Sequence, residues 1–423
     1  MDYIGPQEIL LKKHNYQIPC SAHFFNNPPQ LTRAKMQYYY DDFNGKKYLD
    51  FFAGVSVMNC GHSNDEIIEA TINQMKTLQH TTTIYLTQPI VDLAEELSKV
   101  LPGDLNKSFF CLSGSEANEG AMLLAKLYTG RNEFIYLDGG LHGRTHLTMS
   151  VNGIDMWRTS PTIEPGTHRA TSFYPDVVNN KFDKEHTMNE SLSSIEKILI
   201  ERKDKIAALI IEPIQGNGGI LTPYPSYFKK LQSLLKEHST LLIADEVQTG
   251  FARTGKMFAI ENFGITPDIM SMAKALGNGQ PISAFSTTDK IADSFTKPSA
   301  STLGGNPVSS AAALAVLNYI EKHALQEHAK KMGDYLHIGL QYLKDQHEII
   351  RDIRGYGLMQ GAELVEGVHP AGKKVDDVLE SMKDKGILIG KNGIHRNVLA
   401  FQPPLIITKD DIDVVINTLD TVL

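Results

Sequence analysis

The middle of the chain alternates short apolar runs with longer segments of helical periodicity. The runs are residues 107–112, 133–137, 206–211, 241–244 and 268–272. Because their apolar residues are largely continuous rather than alternating with polar ones, they are typical of strands buried on both faces. Strands that alternate with helices along a chain favour a mostly parallel sheet covered by helices on both sides. The pattern therefore predicts an α/β fold for this part of the chain.

The two ends of the chain have a different pattern. Beyond residue 305, amphipathic helices are predicted over 307–328 and 329–347, followed by glycine-rich short strands, a helix over 375–385 and a last helix from Lys409. The N-terminal part predicts two strands around an Asn44-Gly45 turn. We therefore expect a large domain over residues 51–310 and a smaller α+β domain over 311–423, with an N-terminal segment, 1–50, that packs with the smaller domain.

Composition and charge disfavour several classes of function. The 423 residues are 42% hydrophobic and 21% charged, with a net charge of −8 and no basic run, so nucleic acid is not an expected partner. The apolar runs are shorter than the ~18 residues that cross a bilayer, and the N-terminus lacks the apolar core of a signal peptide. The three cysteines have no metal-site spacing and suit a reducing compartment. We expect a cytoplasmic enzyme without a metal site or membrane contact.

Three strand ends carry polar residues of types that can take part in catalysis or ligand binding. The run 241–244 stops at Asp245, although a strand buried on both faces has no structural need for a carboxylate. Ser113, Gly114 and Ser115 lead from a strand into a helix, which suits a phosphate site but is also what an ordinary serine-capped helix looks like. Lys274 follows the run 268–272. Alone it would be read as a surface lysine, but in a cleft a desolvated amine can attack a carbonyl.

Taken together, these three strand ends match the needs of pyridoxal phosphate. The carboxyl ends of parallel strands lie at one edge of a sheet, where α/β proteins bind their ligands. Lys274 would form the Schiff base, and Asp245 would keep the pyridine nitrogen protonated, so that the ring accepts electrons. A buried carboxylate is tolerable opposite a pyridinium and costly otherwise.

The stretch DEVQTGFARTGKMFAIENFGITPDIMSMAKALGNGQP resembles the signature of class III, fold-type-I pyridoxal-phosphate aminotransferases. Further motifs in register are YLDFFAGVSVMNCGH, SGSEAN, HGRT, IEPIQGNGG, STLGGNP, RGYGLMQGAEL and PPLIIT, so the resemblance extends over nearly the whole chain. It is strongest for the branch that contains alanine–glyoxylate and ω-amino acid–pyruvate aminotransferases.

The resemblance implies a role for each site residue. Lys274 and Asp245 would be catalytic, Val247 would pack on a ring face, and Gln248 would reach the ring hydroxyl. The other cofactor contacts that it implies are Ser113, Gly114, Ser115, Leu141, His142, Glu212 and Thr302. Of these, Thr302 would reach the phosphate in the neighbouring subunit, so a homodimer or a dimer of dimers with shared sites is expected.

Three positions depart from the family pattern. Leu141 stands where an aromatic residue usually stacks on the ring, and Asn217 stands where many relatives have glutamate. Ala400 stands where an arginine usually binds the substrate carboxylate, and alanine cannot form that bidentate contact. The candidates for substrate contact are then Val55, Arg144, Arg158, Lys391 and Arg396.

The expected reaction is a two-stage transamination. An ω-amino acid or similar primary amine would donate the amino group, and a keto acid, pyruvate before 2-oxoglutarate, would accept it. Lys274 would serve as the general base. Two alternatives on the same scaffold remain open, namely a lyase that eliminates ammonia or phosphate and an aminomutase. A binding protein that has lost activity is disfavoured by the intact Lys274 and Asp245, and a hydride-transferring enzyme by the lack of a G-x-G-x-x-G motif after any strand.

Overall fold

The computed structural model of the chain describes residues 3–21, 23–175 and 183–423. Its strands are β1 (Arg33–Lys35), β2 (Tyr38–Asp41), β3 (Lys46–Asp50), β4 (Lys107–Cys111), β5 (Glu133–Leu137), β6 (Thr167–Ala170), β7 (Ile206–Ile211), β8 (Leu241–Asp245), β9 (Ile269–Met272), β10 (Ser283–Thr287), β11 (Ile350–Tyr356), β12 (Met359–Glu366), β13 (His369–Pro370), β14 (Ile387–Leu388), β15 (Gly390–Asn392) and β16 (Val398–Phe401).

The helices surround these strands along the whole chain. They are α1 (Pro6–Tyr16), α2 (Ala53–Ser56), α3 (Asp65–Thr77), α4 (Gln88–Val100), α5 (Gly114–Thr129), α6 (His146–Ser150), α7 (Lys184–Glu201), α8 (Tyr227–Glu237), α9 (Asp289–Ala292), α10 (Pro307–Lys322), α11 (Leu325–Gln346), α12 (Gly372–Asp384) and α13 (Lys409–Asp420). Among the described residues, no helix is long and apolar enough to cross a membrane.

A seven-stranded sheet, in the order β4-β10-β9-β8-β7-β5-β6, forms the centre of the molecule. All its strands run parallel to one another except β10, which is antiparallel to both β4 and β9. Along β7, Leu209 and Ile211 join one hydrophobic cluster while Ala208 and Ile210 join another. Burial on both faces explains why the apolar run is unbroken. The predicted mostly parallel sheet of an α/β fold is confirmed.

Two smaller sheets lie outside the large one, and the first of them joins the N-terminal and C-terminal parts of the chain. Strands β1, β2 and β3 form an antiparallel meander, and β14 then adds in parallel to β3. The second sheet is antiparallel in the order β11-β12-β16-β15, with β13 paired to β12. The N-terminal strands thus pair with a C-terminal one, while the domain boundaries at 50 and 310 stay predictions.

The break between the two helices beyond residue 305 lies closer to the N-terminus than the sequence pattern predicts. Helix α10 ends at Lys322 and α11 begins at Leu325, whereas the predicted break lay between 328 and 329. Ala324 between them has a left-handed φ of 47°. The pattern missed this turn because no glycine or proline marks it and the residues around it are good helix formers.

Candidate active site

The strand ends that carry the predicted chemistry lie at one edge of the large sheet. Asp245 ends β8 and pairs in register with Ser271 of the adjacent β9. Lys274 follows β9 and begins a short 3₁₀ turn with a φ of 45°. Glu212 follows β7 on the other side of β8. An amine and two carboxylates therefore converge from three neighbouring strands.

The Asp245 carboxylate is 2% exposed and is held by three donors. Its Oδ1 accepts the Val247 amide at 3.0 Å. Its Oδ2 accepts Asn118 Nδ2 at 2.8 Å and lies 2.8 Å from His142 Nδ1. These contacts fix the rotation of the carboxylate, as expected of a group that must face a ring nitrogen.

Asn118 is a site residue that the sequence reasoning missed. It lies on α5 one turn after Gly114 and is 1% exposed. Besides Asp245, its Nδ2 donates to the His142 carbonyl at 2.7 Å, and its Oδ1 accepts the Ser271 hydroxyl. A signal was present, because asparagine is a poor residue for a helix interior and stands here inside the SGSEAN motif.

Burial shifts the titration of Lys274 and Glu212. Desolvation lowers the pKa of the Lys274 amine, and the negative charges of Asp245 and Glu212 oppose that shift. Glu212 accepts the amides of Leu141 at 2.8 Å and Gly216 at 2.9 Å. Burial nevertheless raises the pKa of Glu212 to about 7. A lysine with a lowered pKa supplies more of the neutral amine that covalent and general-base chemistry needs.

The start of α5 is a capped helix whose small residues form a candidate anion cradle. Ser113 Oγ accepts the Glu116 amide at 3.2 Å, and the Glu116 carboxylate accepts the Ser113 amide at 3.1 Å, which forms a capping box. A Cβ at Gly114 would lie 2.8 Å from Cγ1 of Val247, so only glycine allows this approach. Ser115 Oγ accepts the Arg144 amide at 3.1 Å. The cradle thus lies against Val247, two residues from Asp245.

These residues fit pyridoxal phosphate. A desolvated amine, an oriented carboxylate and a helix N-terminus with small residues stand at one sheet edge, which is the donor set that the group requires. The Leu141 side chain is half-buried, and the Leu141 backbone amide donates to the Glu212 carboxylate. Gln248 is buried, and its Nε2 donates to Gln402 Oε1 at 3.2 Å, while Gln402 Nε2 is buried with no partner in the described chain.

The space around Ala400 is apolar. Ala400 is fully buried and pairs with Gly390 on one side and Gly361 on the other. The Phe52 ring lies so close to Gly390 that a Cβ there would be 2.0 Å from Cε2 of the ring. Directly paired residues share a face of a sheet. The Phe52 ring therefore fills the space into which an arginine at position 400 would project.

The candidate substrate residues differ in their availability. The Lys391 ammonium contacts the Asp376 carboxylate, so its charge is already paired. Arg396 is half-buried in the turn between β15 and β16, and its guanidinium lies 5.3 Å above the Phe24 ring. Arg396 makes no ion pair within 4 Å with another described residue. Desolvation lowers its pKa, and the negative charge of Asp376 opposes that shift.

The other predicted residues have different surroundings. Arg144 is exposed, and Arg158 donates to the Tyr136 hydroxyl at 2.9 Å. Val55 is half-buried within α2, where four successive residues have positive φ. Thr302 is exposed in the loop before α10, so its role toward a neighbouring subunit stays a prediction. Asn217 accepts the Trp157 indole N–H at 3.1 Å. Among the described residues, no cluster could hold a metal ion.

Comparison with known proteins places this site in a family. The family model for class III aminotransferases matches residues 23–423. The chain is 42% identical to a protein named alanine–glyoxylate aminotransferase 2 homolog 2, mitochondrial, of Arabidopsis thaliana, over 99% of this chain and 88% of that one. It is 36% identical to a 5-aminovalerate aminotransferase of Pseudomonas aeruginosa, over 95% and 94% of the two chains.

A solved structure gives the same result. An aminotransferase of Bacillus anthracis superposes with a TM-score of 0.91 at 33% identity and covers 98% of each chain. The predicted family, enzyme class and cofactor are confirmed. The chain belongs to the class III aminotransferases, which are pyridoxal-phosphate-dependent enzymes.

Proposed function

We propose that this enzyme moves an amino group from an ω-amino acid or similar primary amine to a keto acid, with pyruvate preferred over 2-oxoglutarate. The observation that carries the proposal is Ala400 in an apolar setting under Phe52, where the family pattern has an arginine. Such a site offers no bidentate partner to an α-carboxylate there. The relative of Pseudomonas aeruginosa named for 5-aminovalerate supports an ω-amino donor.

Each step has a residue suited to it. Pyridoxal phosphate supplies a carbonyl that captures the donor amine and a ring that accepts electron density. Lys274 Nζ would hold the cofactor and, once free and neutral, would take the proton from the amine-bearing carbon of the donor. Asp245 would balance the charge at the pyridine nitrogen, and His142 is its side-chain partner. The N-terminus of α5 would hold the phosphate.

The flat faces and the hydroxyl of the cofactor have their own contacts in this proposal. Val247, which packs over Gly114, would cover one ring face, and Leu141 would cover the other by dispersion rather than stacking. Gln248 donates one amide N–H to Gln402, and its second N–H would serve the ring hydroxyl.

We further propose that Arg396 binds the donor's carboxylate. Arg396 makes no ion pair within 4 Å among the described residues, whereas Lys391 contacts the Asp376 carboxylate directly. The Phe24 and Phe52 rings lie 5.9 Å apart on the way from Arg396 to Ala400. A donor with several methylenes between amine and carboxylate would lay its chain along the two rings.

The test is a donor series with pyruvate or 2-oxoglutarate as acceptor. Rates are measured for alanine, β-alanine, 4-aminobutyrate, 5-aminovalerate and an amine without a carboxylate. Arg396→Ala should raise KM for the carboxylated donors about tenfold or more and leave the plain amine unchanged, because a charged hydrogen bond contributes about 1.5–3 kcal/mol. Lys373→Ala, which removes an exposed cation on α12, is the control. Best activity with ordinary α-amino acids would contradict the proposal.

A second measurement separates the transaminase from the lyase and aminomutase alternatives. The enzyme is mixed with donor alone, and pyridoxamine phosphate is measured by mass spectrometry. A transaminase should accumulate it in about one equivalent per site, because the amino group stays on the cofactor until a keto acid arrives. A lyase or an aminomutase would return the cofactor to its starting form.

We also propose that two copies form a homodimer. Helix α3 exposes Ile68, Ile72 and Met75 along one face, and the following segment exposes Ile84, Tyr85 and Leu86. Contiguous exposed apolar surface of this kind marks an interaction site. Thr302, which is expected to reach the neighbouring subunit, would then complete a site that one chain leaves open.

A further inference from the structure

Asn118 has a side-chain amide whose orientation is fixed by its neighbours. The Asp245 carboxylate and the His142 carbonyl are acceptors only, and both face the same Asn118 atom, at 2.8 and 2.7 Å. That atom must be the NH₂ group, so the opposite atom is the carbonyl oxygen. The Ser271 hydroxyl faces this oxygen and must donate to it. The orientation of the amide therefore follows from its three hydrogen-bond partners.

The Ser271 hydroxyl and Asn118 therefore act in series on Asp245. Ser271 stands opposite Asp245 in the β8–β9 register, and its backbone carbonyl also accepts the Glu246 amide at 2.9 Å. Asn118 reaches Asp245 directly and also binds the backbone of His142, the other side-chain partner of that carboxylate. Ser271 and Asn118 are both at most 1% exposed, so neither can exchange its partner for bulk water.

We propose that Ser271 and Asn118 are positioning residues that lock the Asp245 carboxylate toward the pyridine nitrogen of the cofactor. The inference rests on the role proposed above for Asp245. Without the Ser271 hydroxyl, the Asn118 oxygen is a buried acceptor without a donor, and the amide loses one of its three hydrogen-bond partners. Its position, and with it the direction of the hydrogen bond to Asp245 Oδ2, is then held less tightly.

Cofactor binding tests the lock without any need for transamination. The chain has one tryptophan, Trp157, which is bound to Asn217 in the loop after Glu212. Quenching of its fluorescence gives the Kd of the apoenzyme for pyridoxal phosphate. The pH midpoint of the visible band of the holoenzyme gives a second readout, which reports the charge beside the ring. Circular dichroism establishes that each variant is folded.

Three single variants and a double variant define the expected result. Asn118→Ala and Ser271→Ala should each raise the Kd about tenfold or more, which is the usual effect of an unmade buried hydrogen bond, and should shift the midpoint of the visible band. The double variant should be no worse than Asn118→Ala, because the two residues act in series. Ser271→Cys, a weaker donor of similar shape, should lie between the parent and Ser271→Ala.

The control is Ser286→Ala, on β10 of the same sheet. Ser286 is also fully buried, and its hydroxyl is bonded to that of Ser108 at 2.7 Å. It should leave both readouts unchanged. In Asn118→Ala and Ser271→Ala, a Kd within twofold of the parent together with an unshifted pH midpoint would overturn the lock, as would additive losses in the double variant. Because no donor is used, failure of the proposed donor specificity would not change these results.

Discussion

Ala400→Arg introduces the residue type that the family pattern has at this position and tests whether the packing around it leaves room for that side chain. The new side chain would leave the strand on the face that carries the Phe52 ring, since Ala400 and Gly390 are directly paired. It would also enter the cluster formed by Ile214, Ile220 and Ala400. We expect a loss of stability rather than a simple gain of α-amino acid activity.

The magnitude follows from two costs. Overfilling a packed site costs about 1–3 kcal/mol, and burying a guanidinium that lacks a carboxylate adds several kcal/mol more. Ala400→Arg should therefore lose at least about 4 kcal/mol of unfolding free energy. Phe52→Ala opens the space, and the double variant should recover about 1–2 kcal/mol relative to the sum of the single changes.

The assay combines urea unfolding of the apoenzyme with the donor series. The double variant should use alanine better, relative to 5-aminovalerate, than either single variant does. Phe25→Ala, a change to a half-buried aromatic residue next to Phe24, is the control for loss of a ring in this segment. If Ala400→Arg were as stable as the parent and switched donors without the change at Phe52, the argument from packing would be refuted.

Three further predictions follow from other contacts. Burial raises the pKa of Glu212 from 4.5 to about 7, so its ionisation opposes folding, and about 3 kcal/mol of stability is lost as pH rises through that window. The Tm of apo Glu212→Gln should therefore depend less on pH between 5 and 8 than the Tm of the parent does. A pH dependence of Tm equal to the parent's would contradict this. Gly114→Ala should weaken pyridoxal phosphate binding by about tenfold, since its Cβ would lie 2.8 Å from Val247, and an unchanged Kd by fluorescence would count against the cradle. Leu86→Glu should yield monomers in light scattering, unlike Ile338→Glu on α11, and a Leu86→Glu dimer would rule out that face as the interface.

The large sheet was largely predictable because its strands are buried on both faces. Continuous apolar runs such as 206–211 leave few other structures open. Strand β10 was missed because SAFST mixes small polar and apolar residues and resembles a loop. Its serines are tolerated inside because their hydroxyls find partners, such as Ser286 with Ser108, and such pairing is invisible along the chain.

The sequence predicted which strand ends carry the candidate site, but not the residues that hold its side chains in place. Lys274 and Asp245 stand at strand ends, and parallel strands bring their carboxyl ends together whatever the loops do. The contact between Asn118 and Ser271 joins positions 153 residues apart, and nothing in either local pattern indicates it. Likewise, the packing of Phe52 on Gly390 depends on how a hairpin meets an N-terminal segment, so the sequence indicated only that an arginine was missing at position 400.

The most direct test of the central claim, that Lys274 is the cofactor's attachment point beside Asp245, is reduction of the holoenzyme followed by peptide mapping. Borohydride fixes a pyridoxal phosphate bound to a lysine, and mass spectrometry locates the modified residue. We expect about one modification per chain, on Lys274 alone, and none on that peptide in Lys274→Ala. An unmodified Lys274, or a label at another lysine, would contradict the account.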